Sequence, residues 1–417
     1  MGGEVANDME LPLSWAASGQ SILKLNIRHL WLCGVWQLPG SWMFEAYGAL
    51  GLALGVWNAI EGSLAIYYSW GDMEETTLVL TSTVYIGCNT IKMAFSRRNR
   101  RQYYALARRV QTLVSLQSES CFADPALAGI QKDSQRLALR LTLGILLFMF
   151  AQCFVWFPTP LVAHPGERRL PLVQHAWDNN TNYYALSYAS QCVIGAWTSQ
   201  LGYSVDLLFM AVMILVAAQL RILSLRIASL KTEDCEENLE DGERRMNGMP
   251  ADTCDKMYEN LCLCIETHQK ILRFIKHLQN TMSSVVVTQF CCCVLVACVA
   301  LFQATYSTDF SAVLMCASFL PVPSSHVFLY CWAAHNVTEQ AEVVVFSAYS
   351  CSWVEASGRF KRALRILISR AQKPLVLTAG HIYPINREAF VSLVNASYSY
   401  YALLGQMNRR SNQIIRS

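Results

Sequence analysis

Four polar side chains in the last uncharged stretch of the chain, Ser392, Asn395, Ser399 and Gln406, recur at steps of three, four and seven residues. On a helix those steps return to one face, so the four make a single polar stripe. A stripe that donates and accepts hydrogen bonds is costly against lipid and must face protein or water. Two arrangements satisfy it: a helix buried in a bundle, with its small polar groups bonded to neighbours, or one wall of a water-filled path for ions. In the second, Leu403 falls within the stripe near its far end and makes an apolar constriction. Asp206 is an acid inside a long apolar run, where an ionisable group needs a partner or a water cavity; a structural hydrogen bond is its expected role. Cys262, Cys264 and His268 carry metal-ligating atoms, but their spacing does not gather them on one side of a helix, and no metal or cofactor is expected. No nucleophile-and-base cluster or phosphate loop appears, so the chain does not read as an enzyme.

The elements that carry these groups are membrane helices. Of 417 residues, 53% are hydrophobic, and the apolar residues run together. Seven spans are expected, over 42–68, 76–95, 141–157, 188–220, 282–304, 311–334 and 389–408, most of them near the ~20 residues that cross a bilayer core. The fourth is too long for a straight crossing and should project beyond the membrane. Pro321 and Pro323 should break or bend the sixth. The fold class is therefore an all-α membrane protein.

Lys and Arg are retained on the cytoplasmic side. With the N-terminus inside, 26 of the 33 basic residues fall in inside segments, which predicts a cytoplasmic N-terminus and an extracellular C-terminus. G-protein-coupled receptors have the opposite orientation, and no Asp-Arg-Tyr-like triplet ends the third span. The absence of an internal inverted repeat argues against a transporter. The sequon Asn179-Asn180-Thr181 lies in a loop assigned outside, which makes Asn179 a glycosylation candidate. Sixteen cysteines are not placed as disulfides, because the longer outside stretches contain none; they read as small buried thiols.

Residues 1–41 are amphipathic, with Leu23, Ile27 and Leu30 on one face, and are expected to lie along the inner leaflet. The acidic stretch 232–252 has too little apolar surface to order and reads as a cytoplasmic loop. Within 343–372, Phe346, Tyr349, Trp353, Phe360, Leu364 and Leu367 give basic cytoplasmic helices an apolar face. Such a face must be covered, either by the chain itself or by another subunit.

The runs Ala371-Gln372-Lys373-Pro374, Ala379-Gly380, Phe390 and Ser397-Tyr398-Ser399-Tyr400-Tyr401-Ala402-Leu403-Leu404 resemble the C-terminal signature of insect odorant receptors. A block upstream, Tyr330-Cys331, Asn336, Thr338-Glu339, Tyr349 and Trp353, resembles the same family. Tyr400 and Gln406 also resemble a motif of the related gustatory receptors, from which Ser399 and Met407 depart. The first three hundred residues are similar to the family in layout only.

The resemblance implies a subunit of a ligand-gated, nonselective cation channel that detects a small volatile. It implies assembly with the odorant co-receptor (Orco) in a heterotetramer, in the plasma membrane of a sensory dendrite. A ligand pocket is implied in the outer half of the helices of 42–334, where Tyr85, Phe150, Phe154, Phe157 and Trp197 offer aromatic walls. Cytoplasmic anchor helices are implied over 335–388, with Tyr349, Trp353, Phe360 and Leu364 between subunits. In the pore helix of 389–417, Leu403 matches the constricting position, and Gln406 and Met407 follow at the outer mouth.

Overall fold

The computed structural model describes residues 13–36, 41–70, 73–163, 166, 168–172, 183–230, 251–306 and 310–416. Asn179 and nearly all of the acidic stretch lie outside the described residues. The short helices α1 (Trp15–Ser18) and α2 (Lys24–Leu32) precede α3 (Trp42–Tyr68), α4 (Met73–Arg98), α5 (Arg100–Leu116), α6 (Ser118–Ala123), α7 (Pro125–Trp156) and α8 (Thr159–Ala163). Then come α9 (Tyr184–Ala228), α10 (Ala251–Tyr306), α11 (Phe310–Phe319), α12 (Pro321–Ser350) and α13 (Gly358–Ala371), a hairpin of β1 (Thr378–Ala379) and β2 (Tyr383–Pro384), and α14 (Arg387–Arg416).

Among the described residues, six helical stretches are long and apolar enough to cross a membrane. The expected seventh span lies in α14, whose polar stripe keeps it below the hydropathy of the others. The sixth expected span is broken where Pro321 starts α12: α11 ends at Phe319, and a proline cannot donate the amide that would continue the ladder.

In α9 every residue from Leu201 to Leu220 is buried. Apart from Ser204, Asp206 and Gln219 those twenty residues are apolar or aromatic on every side, the pattern of a helix with no solvent or lipid face. Of the most apolar stretch, 94% is buried in α9 and 17% in α7, which makes α9 the axis of the bundle and α7 a lipid-facing wall. The hydrophobic effect drives little of the association between helices inside a membrane, so close packing must. On α3, Gly55 and Gly62 supply it: a Cβ on Gly62 would stand 2.1 Å from Thr83 Oγ1 of α4, and one on Gly55 2.5 Å from Thr90 Oγ1.

One expectation is corrected by the packing. Leu23, Ile27 and Leu30 do not rest on the leaflet; they are buried against α9 and α7, because α2 docks into the bundle. The fold is helical as expected, with one two-residue antiparallel ladder between α13 and α14. Its three-residue loop, Gly380 to Ile382, holds Gly380 and His381 at positive φ, the central pair of a tight turn that Ile382 N closes by donating to Ala379 O at 3.2 Å. The ladder sits against α10, where Gly380 N donates to Ser283 O at 3.4 Å.

Candidate functional site

Where α4, α7, α9 and α11–α12 converge near the end of α7, they line a cavity of about 50 Å³. Tyr85, Met149, Trp156, Phe157 and Phe319 supply most of its wall; Ser82, Gln152, Gly195 and Ser199 add small or polar groups. Tyr85 and Trp156 both pack on Phe319, with ring centroids 5.1 Å away in each case. The segment 168–172 reaches the cavity through Leu172. Leu172 lines it and is held by its own amide, which donates to Gln191 Oε1 at 3.0 Å, while Trp156 Nε1 donates to Pro171 O at 3.1 Å.

The polar groups on this wall differ in what they have left to offer. Gln152 Nε2 donates to Ser318 Oγ at 3.2 Å, and Ser199 Oγ donates to Gly195 O at 2.8 Å. The Tyr85 hydroxyl is buried beside Asn89 and Ser199 without a well-formed hydrogen bond to either. A buried phenol without a partner in a largely apolar chamber is a directional handle for a ligand that brings an acceptor or a donor.

Of the five aromatic residues expected around a ligand, the structure brings Tyr85 and Phe157 to this cavity. Phe154 points away from the bundle and is 78% exposed. Phe150 and Trp197 line a different cleft, between α1–α3, α7 and α9, where Trp197 Nε1 lies 3.2 Å from the Tyr47 hydroxyl. The inward face of α7 is set one residue back from the expected one, at Met149, Gln152, Cys153 and Trp156. Gln152, a lone amide in an apolar run, was the sequence signal for that face.

One to two turns from the cavity, α4, α9 and α12 meet again at a buried ion pair. Lys92 Nζ donates to Asp206 Oδ2 at 2.7 Å, with both side chains almost wholly buried. The Tyr330 hydroxyl donates to Asp206 Oδ1 at 2.8 Å, and His326 Nε2 lies 3.6 Å from Oδ2. Gln289 Nε2 of α10 reaches His326 Nδ1 at 3.1 Å. Asp206 thus has the hydrogen bond expected of it, and also an ion-pair partner that sequence reading missed. Ser82, Tyr85, Asn89, Lys92 and Ser96 step by three and four along α4, so one polar face joins the cavity to the ion pair.

On α14 the chain packs through Ala389, Ser397 and Gly405, which are buried. Tyr306 OH lies 3.5 Å from Gly405 O, and a Cβ there would stand 2.8 Å from that hydroxyl. Ser392, Asn395, Ser399, Leu403, Gln406 and Met407 all lie on the exposed side, turned away from their own chain. The apolar face of 343–372 divides. Phe360, Leu364 and Leu367 are covered within the chain, which corrects the expectation that Phe360 and Leu364 lie between subunits. Trp353 is half-buried against the core, and Phe346 and Tyr349 are each 71% exposed. Cys262 is exposed while Cys264 and His268 are buried, and no cluster among the described residues could hold a metal.

A family model described as 7tm Odorant receptor matches residues 72–398. The chain belongs to the insect odorant receptor family. Odorant receptor Or2 of Anopheles gambiae is 26% identical over 350 residues, which cover 82% of this chain and 87% of that one. Odorant receptor 10 of Aedes albopictus is 33% identical over 140 residues, 34% of this chain and 37% of that one. The olfactory receptor OR5 of Machilis hrabei shares the fold, with a TM-score of 0.70 at 19% identity over 92% of this chain and 97% of that one. OR5 has also been solved in complex with eugenol, and that structure aligns with a TM-score of 0.69. This odorant receptor is thus a multi-pass membrane protein of a receptor family, and its cavity and exposed helix face are the features to which a function must attach.

Proposed function

We propose that this odorant receptor is the tuning subunit of a ligand-gated, nonselective cation channel. In this reading a small volatile occupies the cavity beside segment 168–172, and α14 lines the pore. The chain lies in the plasma membrane of a sensory dendrite with its N-terminus inside and C-terminus outside, assembled with the odorant co-receptor. The observation that carries the reading is the aromatic-walled cavity with an unpartnered phenol, on the helices that also share the buried ion pair. Its walls suit a small aromatic ligand, the class to which the eugenol bound by OR5 belongs. The pore assignment is supported by the α14 stripe, which faces out of the protomer and needs water or another subunit beside it. Exposed Phe346 and Tyr349 support subunit contact at the cytoplasmic end.

The test is whole-cell current from cells expressing this chain alone and with the co-receptor, during application of a panel of small volatiles. Odorant-evoked cation current only on co-expression is expected. Silence with both chains at the surface would overturn the proposal.

Two substitutions divide pocket from pore. Tyr85→Phe should weaken sensitivity to odorants bearing a hydroxyl or carbonyl by about tenfold, the equivalent of one hydrogen bond, and leave pure hydrocarbons unaffected. Equal shifts for both classes in dose–response curves would remove the phenol from the binding role. Leu403→Ala should raise basal current by widening an apolar constriction. Unchanged gating in assembled channels would sink that assignment.

A further inference from the structure

Phe150 and Trp197 line a cleft of ≈ 750 Å³, whose wall also includes Trp31, Phe44 and Leu146. α2 forms one wall, from Leu25 to Leu32, and α3, α7 and α9 supply the rest with Trp15. A second cleft of ≈ 490 Å³ begins on the other side of α2, and Leu25 and Arg28 line both. Four cations line the second cleft: Lys24 and Arg28 of α2, and Lys132 and Arg136 of α7. No acid lines either cleft; the exposed Asp133 lies 3.8 Å from Arg136. Arg28 is placed between the two, its guanidinium 4.6 Å from the Trp15 ring centre and its Nε buried without a hydrogen-bond partner. Trp31 Nε1, in the apolar cleft, is likewise buried and unpartnered.

A cationic cleft that adjoins an aromatic one across α2, the two sharing Leu25 and Arg28, matches one chemistry, an amphiphile with an anionic head. We propose that α2, α3, α7 and α9 form a site for an anionic phospholipid, with the headgroup phosphate on Lys24, Arg28, Lys132 and Arg136 and an acyl chain along Trp31, Phe44, Leu146 and Phe150. A free phosphate would satisfy the cations but leave the apolar cleft without a partner, so the lipid is the occupant. A lipid there adds a second tie between α2 and α7, beside the direct packing of Leu23, Ile27 and Leu30. The inference rests on the membrane location that family membership establishes, and not on the pocket or pore roles proposed above.

The experiment is native mass spectrometry of the purified full-length receptor, titrated with dioctanoyl phosphatidylserine, dioctanoyl phosphatidylcholine or inorganic phosphate. Phosphatidylserine should bind at least about tenfold more tightly than phosphatidylcholine, and inorganic phosphate should not compete. Lys132→Gln with Arg136→Gln should lower phosphatidylserine affinity by roughly tenfold or more, since each exposed cation near a lipid surface contributes on the order of 1 kcal/mol. Both side chains are exposed, so the fold should survive, as a monodisperse elution profile would verify. Leu146→Trp, which narrows the apolar cleft, should weaken the same lipid, whereas Arg98→Gln, outside both clefts, should not. Equal binding of the two lipids, or full phosphatidylserine binding by the double variant, would overturn the site. Competition by inorganic phosphate would make it an ion site instead.

Discussion

Lys92→Met alone is expected to destabilise the folded receptor by about 3–5 kcal/mol, and Lys92→Met combined with Asp206→Asn to recover most of that loss. The Lys92 ammonium and the Asp206 carboxylate lie 2.7 Å apart with almost no exposure. Removing the cation leaves an uncompensated charge inside the bundle, which neither lipid nor the aliphatic neighbours of α9 can solvate. The double variant removes both charges. The amide that Asp206→Asn introduces would still offer an oxygen to the Tyr330 hydroxyl, which now donates to Asp206 Oδ1 at 2.8 Å. Against a typical total of ~5–15 kcal/mol, the single substitution should abolish most surface expression. Thermal denaturation in detergent followed by size-exclusion fluorescence, with surface biotinylation in cells, reads both effects. A Lys92→Met receptor that melts with the wild type would show that the pair contributes nothing to the fold.

Gly195→Leu is expected to abolish odorant-evoked current over the whole concentration range while leaving the receptor at the surface. A Cβ at Gly195 would stand 3.1 Å from Leu172 Cδ1 and 3.4 Å from Phe157 Cε1, so the position already borders the chamber tightly. The further carbons of leucine have only the ≈ 50 Å³ chamber to enter. Gly195→Ala adds just the Cβ and should reduce sensitivity without silencing the receptor, as one methyl-sized contact in a binding pocket shifts affinity by roughly 1–3 kcal/mol. Dose–response currents with the co-receptor present, normalised to surface expression, check both. A Gly195→Leu receptor that responds as the wild type does would move the odorant out of this cavity.

How much of the site was legible depended on contrast within each helix. The stripe on α14 could be read because Ser392, Asn395, Ser399 and Gln406 are polar among apolar residues, which defines a rotational phase; the structure turns all four outward. α7 is apolar through its second half, so an aromatic series at 150, 154 and 157 fitted the helical period as well as the face at 149, 152, 153 and 156 that lines the cavity. The period alone carries no phase there. Phe360, Leu364 and Leu367 were recognisable as a face needing cover, but amphipathicity does not say what covers it, and the chain does so itself.

The sequence by itself determined the membrane class, the long apolar helices, the break at Pro321 and the odorant receptor signature. Each is written in local composition, in runs of apolar residues or in short ordered motifs. Only the tertiary structure decided that Lys92 and Asp206, far apart in the chain, form one ion pair. It also decided that Leu23, Ile27 and Leu30 pack on protein rather than lipid, and that Tyr85 shares a cavity with Trp156 and Phe319. The reason is that a lipid bilayer and a protein interior both accept apolar side chains, so hydropathy does not separate them. Which apolar face meets lipid and which meets another helix is set by the fit of particular surfaces, such as Gly62 against Thr83.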